Sequence, residues 1–272
     1  LDDDWDNVSG RIVLDYTYSD DAMMYASIAS GYKAGGFRLG DLQPNPVFDE
    51  EELIAYEIGY KGTFNDTLQV NAAAYYYDYS DMQVLASRLT DENLPVSEII
   101  NADSAEVKGI EIESIWLVTD NLTLMGNYSY IDGEYDDFCC AIDTIEAPEL
   151  GEQDLSGNPL TQAPENKVFF NASYSIRTNS WGEFVPSASY SWVDERQYDI
   201  FDNDSTRADD YYRVDAMLTW YSSSENLRVI ASGRNLTDEE TWTTLSRLNA
   251  NGAVNGQANE PRNWSIEVQY DF

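Results

Sequence analysis

The sequence predicts an all-β protein, an antiparallel transmembrane β-barrel wall of about 11 strands. Three observations carry that expectation. Apolar residues recur at every second position nearly throughout, and helical spacing is hard to find. The alternating segments run about nine to twelve residues, whereas soluble strands average ~5–6 and tilted membrane strands need ~9–11. The connectors alternate between short and long, as in a barrel whose short turns face the periplasm.

The elements follow in order. Strands are predicted at 11–18 and 23–33, joined by the polar turn Ser19-Asp20-Asp21, and at 53–63 beyond a long connector at 34–52. Asn65-Asp66-Thr67 then turns the chain into 68–80, where Leu68, Val70, Ala72, Ala74 and Tyr76 alternate with Gln69, Asn71, Ala73 and Tyr75. A long connector at 86–104 leads to 105–118, and Thr119-Asp120-Asn121 turns into 122–135, with Leu122, Leu124, Gly126, Tyr128 and Tyr130 on one face. After the connector 136–163 the strand 167–178 carries Val168, Phe170, Ala172, Tyr174 and Ile176 on one side, and Asn179-Ser180-Trp181-Gly182 turns into 183–198. The connector 199–209 precedes 210–221, with Tyr212, Val214, Ala216, Leu218 and Trp220 on one face. Ser222 to Asn226 turns into 227–235, and the connector 237–260 precedes the closing strand 262–272.

An odd strand count places the first residue and Phe272 on opposite rims, while bacterial single-chain barrels close with an even number. The opening Leu1-Asp2-Asp3-Asp4-Trp5-Asp6 carries neither a basic n-region nor an apolar h-region. The expectation is therefore the C-terminal part of a longer barrel, with 1–272 as one barrel unit and no plug domain in it.

Composition narrows function. The 272 residues hold 15 Lys+Arg against 50 Asp+Glu, a net charge of −35, and no histidine. Clustered cations for phosphate are missing, so nucleic-acid binding is not expected. Without histidine the Ser-His-Asp and Cys-His nucleophile systems and His-ligated zinc or haem are unavailable. The acidity itself reads as an adaptation for solubility or a saline habitat. Aromatic residues reach 13%, with 20 Tyr and 7 Trp. Interface girdles account for much of that excess, at Tyr16, Tyr18, Tyr60, Trp116, Tyr128, Tyr130, Trp192, Trp220 and Trp264. The other face carries Glu57, Lys61, Asn71, Glu111, Glu113, Lys167, Arg177, Arg213, Asp215, Arg228 and Glu267, which suit a wet lumen. A mean hydropathy of −0.47 agrees, because long loops and half of every strand are polar.

Few residues suggest catalysis or metal. Glu111 and Glu113 share a strand face and read as lumenal acids rather than a glycosidase pair. Asp132, Glu134, Asp136 and Asp137 offer hard oxygen but lack EF-hand spacing, so they read as a solvated acidic loop. Neither a cofactor nor a metal is expected. The adjacent Cys139-Cys140 lacks CxxC spacing, leaving a vicinal disulfide or two thiols with partners outside this segment.

Several segments together resemble the TonB-dependent outer-membrane receptors, in the C-terminal half of their barrel. The carriers are Trp5-Asp6-Asn7-Val8-Ser9-Gly10-Arg11, Tyr25-Ala26-Ser27 through Gly31-Tyr32-Lys33-Ala34-Gly35-Gly36-Phe37, and Tyr56-Glu57-Ile58-Gly59-Tyr60-Lys61-Gly62. Val107-Lys108-Gly109-Ile110-Glu111, Gly157-Asn158-Pro159-Leu160 with Ala163-Pro164, Asn235-Leu236-Thr237-Asp238-Glu239-Glu240 and Pro261-Arg262 continue the series. The resemblance implies a 22-stranded barrel in the bacterial outer membrane, with these strands as its second half. It also implies an N-terminal plug domain, energy coupling through TonB, and uptake of a scarce bulky nutrient, with a ferric siderophore first by family frequency. Ligand contacts in such receptors come from loop apices and the upper lumen, which here points to Phe37, Arg38, Tyr77, Tyr79, Tyr135, Tyr198 and Trp242. The ending Trp264, Ile266, Val268, Tyr270, Phe272, apolar at every second position and aromatic at the end, resembles the signal read by the outer-membrane barrel assembly machinery. The rival expectations are a passive porin-type barrel and a secreted carbohydrate-binding β-sandwich.

Overall fold

The computed structural model describes residues 3–37, 47–89, 95–143, 145–247 and 253–272. Arg38, one of the expected ligand contacts, lies outside them. Eleven long strands form one antiparallel sheet in which every strand pairs with its sequence neighbour. They are β1 (Arg11–Ser19), β2 (Ala22–Lys33), β3 (Glu51–Phe64), β4 (Leu68–Leu89), β5 (Pro95–Leu117), β6 (Leu122–Asp137), β7 (Asn166–Tyr174), β8 (Gly182–Val193), β9 (Tyr211–Tyr221), β10 (Leu227–Arg234) and β11 (Asn263–Tyr270). The path is open, with β1 at one edge and β11 at the other. No second large sheet packs across it among the described residues, which removes the sandwich reading.

The short turns are built by residues that tolerate left-handed backbone. Asn65 and Asp66 have φ of 50° and 58°, the two-residue geometry that matches the twist of flanking strands. The Thr67 amide closes that turn on the Phe64 carbonyl at 3.1 Å. Between β7 and the short strand Ile176–Thr178 the ladder lapses at Ser175, beside Pro186 of β8. Proline has no N–H to donate, so the predicted strand 167–178 is split in two.

Register fixes the faces and the tilt. The row of register partners Phe64, Leu68, Trp116, Leu124, Ala172, Ala188, Ala216, Gly233, Trp264 crosses nine strands. It starts beside the short turn at Asn65 and ends at the second residue of β11, beneath the long connector. A row perpendicular to the strands that climbs from one rim to the other means strands strongly inclined to the barrel axis, as closure requires. Every residue in the row is apolar or glycine, and the polar and charged groups stand on the opposite face, at odd-numbered positions in every strand of the row but β10, where they are Arg228, Ser232 and Arg234.

Two expectations are corrected. The segment 86–104 is not a loose connector: β4 runs to Leu89 and β5 begins at Pro95, paired throughout in a hairpin that rises above the barrel. The pairing continues past Asp81, whose φ of 54° marks an irregularity, into Met82↔Ala102 and Val84↔Ile100. The physical reason is burial: Val84, Ala86, Ala102 and Ala105 pack with Tyr135, Phe138, Ala141, Leu155, Leu160 and Ile200 into a core made wholly of upper strand ends and loops. Likewise β8 stops at Val193, and the stretch to 198 instead makes a two-residue ribbon, Arg196–Gln197 against Arg207–Ala208. Further ribbons join Gly36–Phe37 to Val47–Phe48, Ala141–Ile142 to Glu152–Gln153, and Trp242–Arg247 to Val254–Ala258. The barrel interior needs no packed core from this sheet; the only cluster of buried apolar residues among those described lies in the loops.

Candidate functional site

The lumen wall is built by β2 to β5. Tyr25 donates its hydroxyl to Glu57 Oε1 at 2.6 Å, and Lys61 Nζ lies 5.5 Å from the Tyr25 ring centre. Gly59 sits opposite Tyr25 and Gly109 opposite Tyr75, and a Cβ at either would fall 2.2 or 2.3 Å from the ring. Absence of side chains at these two positions lets both rings lie flat against the wall. Tyr75 and Tyr77 stack at 4.7 Å, and Glu111 lies on the next rung opposite Ala73. The wall thus presents a tyrosine shelf edged by Glu57 and Glu111.

Above it, three loops are clasped by one buried arginine. Arg247, on the ribbon after β10, has a side chain only 1% exposed and meets Asp143 of the β6–β7 loop at 2.5 Å. Its other branch bonds both oxygens of Asp199, from the β8–β9 loop, at 2.9 Å, while Glu146 stands at 3.3 Å. Asn203 adds a bond to Asp143 at 3.2 Å, and Phe201 lies 5.4 Å under the guanidinium. Burial alone would raise the Asp143 carboxyl, but the Glu146 amide, the Arg247 guanidinium and the Ile145 amide outweigh it and hold the group below the usual carboxylate range. A planar, always-charged fork suits this task better than lysine would.

The clasp fixes a second cluster beside it. Tyr198 is next to Asp199, and its hydroxyl accepts from Arg196 Nε at 2.8 Å while donating to the Trp242 carbonyl at 2.9 Å. Arg196 Nη2 reaches the same carbonyl, and the guanidinium lies 5.5 Å from the Tyr198 ring and 5.1 Å from that of Tyr211. No described carboxylate forms an ion pair with Arg196. Aromatic rings around a cation, with an exposed indole at Trp242, make a surface that stacks flat groups and attracts negative charge.

The expected ligand contacts are therefore distributed. Tyr198 and Trp242 come together, and Tyr77 and Tyr79 share the lumenal side of β4. Phe37 lies on its own ribbon, edge-on to Trp5 at 5.8 Å. Tyr135 is corrected: it is 1% exposed inside the loop core, 5.0 Å from Phe138, so it supports the mouth from within and offers no face to a ligand. Burial raises its hydroxyl far above the ordinary tyrosine range. Tyr79 packs against the same core. Cys139 and Cys140 lie side by side at an exposed position. Sequence reasoning missed Arg196 and Arg247. The available signal was weak: two arginines in loops of a chain poor in cations, Arg247 flanked by Leu245 and Leu248.

The β-barrel model of the TonB-dependent receptors matches residues 1–236. The chain belongs to that family. Its barrels are proteins of the bacterial outer membrane, so the apolar face described above meets lipid and the polar face a lumen. Among curated proteins, the Pesticin receptor of Yersinia enterocolitica is 27% identical over 271 residues, 98% of this chain and 36% of the receptor. The chain spans about a third of the length of such relatives. Among solved structures, the ferric yersiniabactin uptake receptor FyuA from Yersinia pestis superposes with a TM-score of 0.78 at 22% identity, covering 96% of this chain and 37% of that one. The siderophore receptor PiuA from Acinetobacter baumannii gives 0.72 at 19%, covering 96% and 35%. These low identities show the fold.

Proposed function

We propose that residues 1–272 form the C-terminal half of a 22-stranded barrel domain in a TonB-dependent receptor that takes up a ferric siderophore. In this reading the chain performs transport and no catalysis. It supplies half of the wall, the loops clasped by Arg247, and a ligand mouth formed by Tyr198, Trp242 and Arg196, with Phe37, Arg38, Tyr77 and Tyr79 as further contacts. Its partners are outer-membrane lipid, the remaining strands and a plug domain against the tyrosine shelf, TonB acting through that plug, and the barrel assembly machinery reading Trp264 to Phe272. One observation carries the reading: the match to the pesticin receptor runs along 98% of the chain, loops included.

The test is growth of a strain lacking the full-length receptor on single ferric siderophores as sole iron source. Loss of growth on one compound, restored by the wild-type gene, supports the proposal; normal growth on every compound overturns it. In the restored strain, Tyr198→Ala is expected to weaken binding of that siderophore about tenfold. It removes a ring and two hydrogen bonds at Arg196 and Trp242, and ~1.4 kcal/mol corresponds to a factor of ten. Titration of labelled ligand on whole cells reads the effect.

A further inference from the structure

The lipid-facing side of β1 to β5 has relief that transport does not explain. Across the strands, one rung reads Leu14, Ala26, Ile58, Ala74, Ile110 and the next Tyr16, Met24, Tyr60, Ala72, Ile112. Ile58 and Tyr60 on β3, and Ile110 and Ile112 on β5, stand as ridges on either side of β4, whose side chains there are only Ala72 and Ala74. Neighbouring strands lie ~4.8 Å apart, so the ridges are roughly 10 Å apart and leave a furrow one hydrocarbon chain wide. The furrow is part of an open apolar trough of about 550 Å³. Its upper end is blocked by Tyr56 and Tyr76, whose rings are 6.2 Å apart, with the Tyr76 hydroxyl held by Glu106 at 3.0 Å. Below Ala72 the same face of β4 continues through Val70 and Leu68 to the short turn at Asn65 and Asp66. At ~3.3 Å per residue, Ala72 is about 20 Å or less along the strand from that turn, on the periplasmic side of the sheet.

We propose that the furrow over Ala72 and Ala74 binds one acyl chain of a periplasmic-leaflet phospholipid as a bound ligand, distinct from exchanging bulk lipid. The occupant follows from continuity: the furrow is cut into the face that already meets the bilayer, and hydrocarbon is what that face touches. Ordering one chain gains contact energy because methylenes in a furrow touch protein on three sides, where on a flat wall they touch it on one. In lipid this gain comes from dispersion and shape, the hydrophobic effect being absent between groups that are apolar alike. The blocked upper end sets how deep the chain reaches, and Tyr16, Tyr18 and Tyr60 mark the headgroup level below. The inference rests on membrane insertion alone and is independent of which ligand is transported.

The experiment uses the full-length receptor in phosphatidylethanolamine nanodiscs containing a phospholipid with a mid-chain diazirine, and maps crosslinks by peptide mass spectrometry. Peptides containing Val70–Ala74 and Ile110–Ile112 are expected to carry several-fold more label than the equally lipid-facing stretch Val168–Ala172. The double substitution Ala72→Leu with Ala74→Leu fills the furrow from the lipid side. It is expected to abolish the excess at 110–112 and leave the labelling at 168–172 and the heat-dependent gel shift of the folded barrel unchanged. Lowering one ridge with Ile110→Ala and Ile112→Ala adds no bulk and is expected to abolish the excess at 70–74. Even labelling of all lipid-facing strands, or an excess that survives both variants, overturns the site. An excess given by a lipopolysaccharide acyl probe and not by the phospholipid overturns the leaflet assignment.

Discussion

Replacing Arg247 by methionine is expected to free three extracellular loops from one another. The substitution keeps much of the stem and removes the charge, leaving Asp143, which is 1% exposed, with its carboxylate buried and without a cation. Breaking one side of a buried ion pair costs ~3–5 kcal/mol, because the remaining charge keeps its desolvation penalty. Hydrogen exchange in the full-length protein is expected to accelerate together around Asp143, around Asp199 and along 242–247, with exchange in β6 to β9 below the loops unchanged. Acceleration confined to 242–247 contradicts the clasp. Arg247→Lys retains charge but not the fork that holds both Asp199 oxygens, so its effect falls between. The same clasp predicts a pH dependence. A carboxyl held below its ordinary value in the folded state contributes stability that is complete above the ordinary aspartate range, about 3.9, and is lost as pH falls through the lower folded value. Loop exchange, corrected for its intrinsic pH dependence, is expected to be flat through neutrality and to rise only below about pH 4.

The second large effect separates two adjacent residues of β7. Phe170 faces lipid and Asn171 faces the lumen, so Phe170→Arg is expected to destabilise the barrel by ~2–4 kcal/mol, whereas Asn171→Arg stays near ~0.5 kcal/mol. Unfolding of the full-length protein in lipid, followed by tryptophan fluorescence, reads both. Equal effects, or the reverse order, contradict the assignment of faces. The contrast is steep because period-two alternation leaves no intermediate position: moving one residue along the strand moves the side chain from hydrocarbon to water.

This is also why so much of the wall could be read from sequence. Lipid demands apolar groups at every second position, so strands such as 122–135 and 212–220 announce themselves, and the polar turns at Asp20–Asp21 and Asn65–Asp66 bound them. The loops obey no such rule. The pairing of Val84 with Ile100 lies above the membrane, where alternation is no longer enforced by hydrocarbon, so a tall hairpin reads as a connector. Tyr135 reads as a mouth residue because nothing local shows that Phe138, Leu155 and Ile200 will close over it. Arg247 meets Asp143 across 104 residues of sequence, a contact that exists only after three hairpins are in place. Pro186 is the intermediate case: its missing N–H predicts a lapse in the ladder, though the sequence does not say which neighbouring strand will be broken.

The most direct measurement is a density map of the full-length receptor extracted from native membranes, traced at strand resolution. A closed ring of about 22 strands around a globular plug is expected, in which β1 and β11 pair with strands from the rest of the protein and the tyrosine shelf of Tyr25, Tyr75 and Tyr77 faces the plug. A ring in which β1 pairs directly with β11, enclosing no domain, would contradict this expectation.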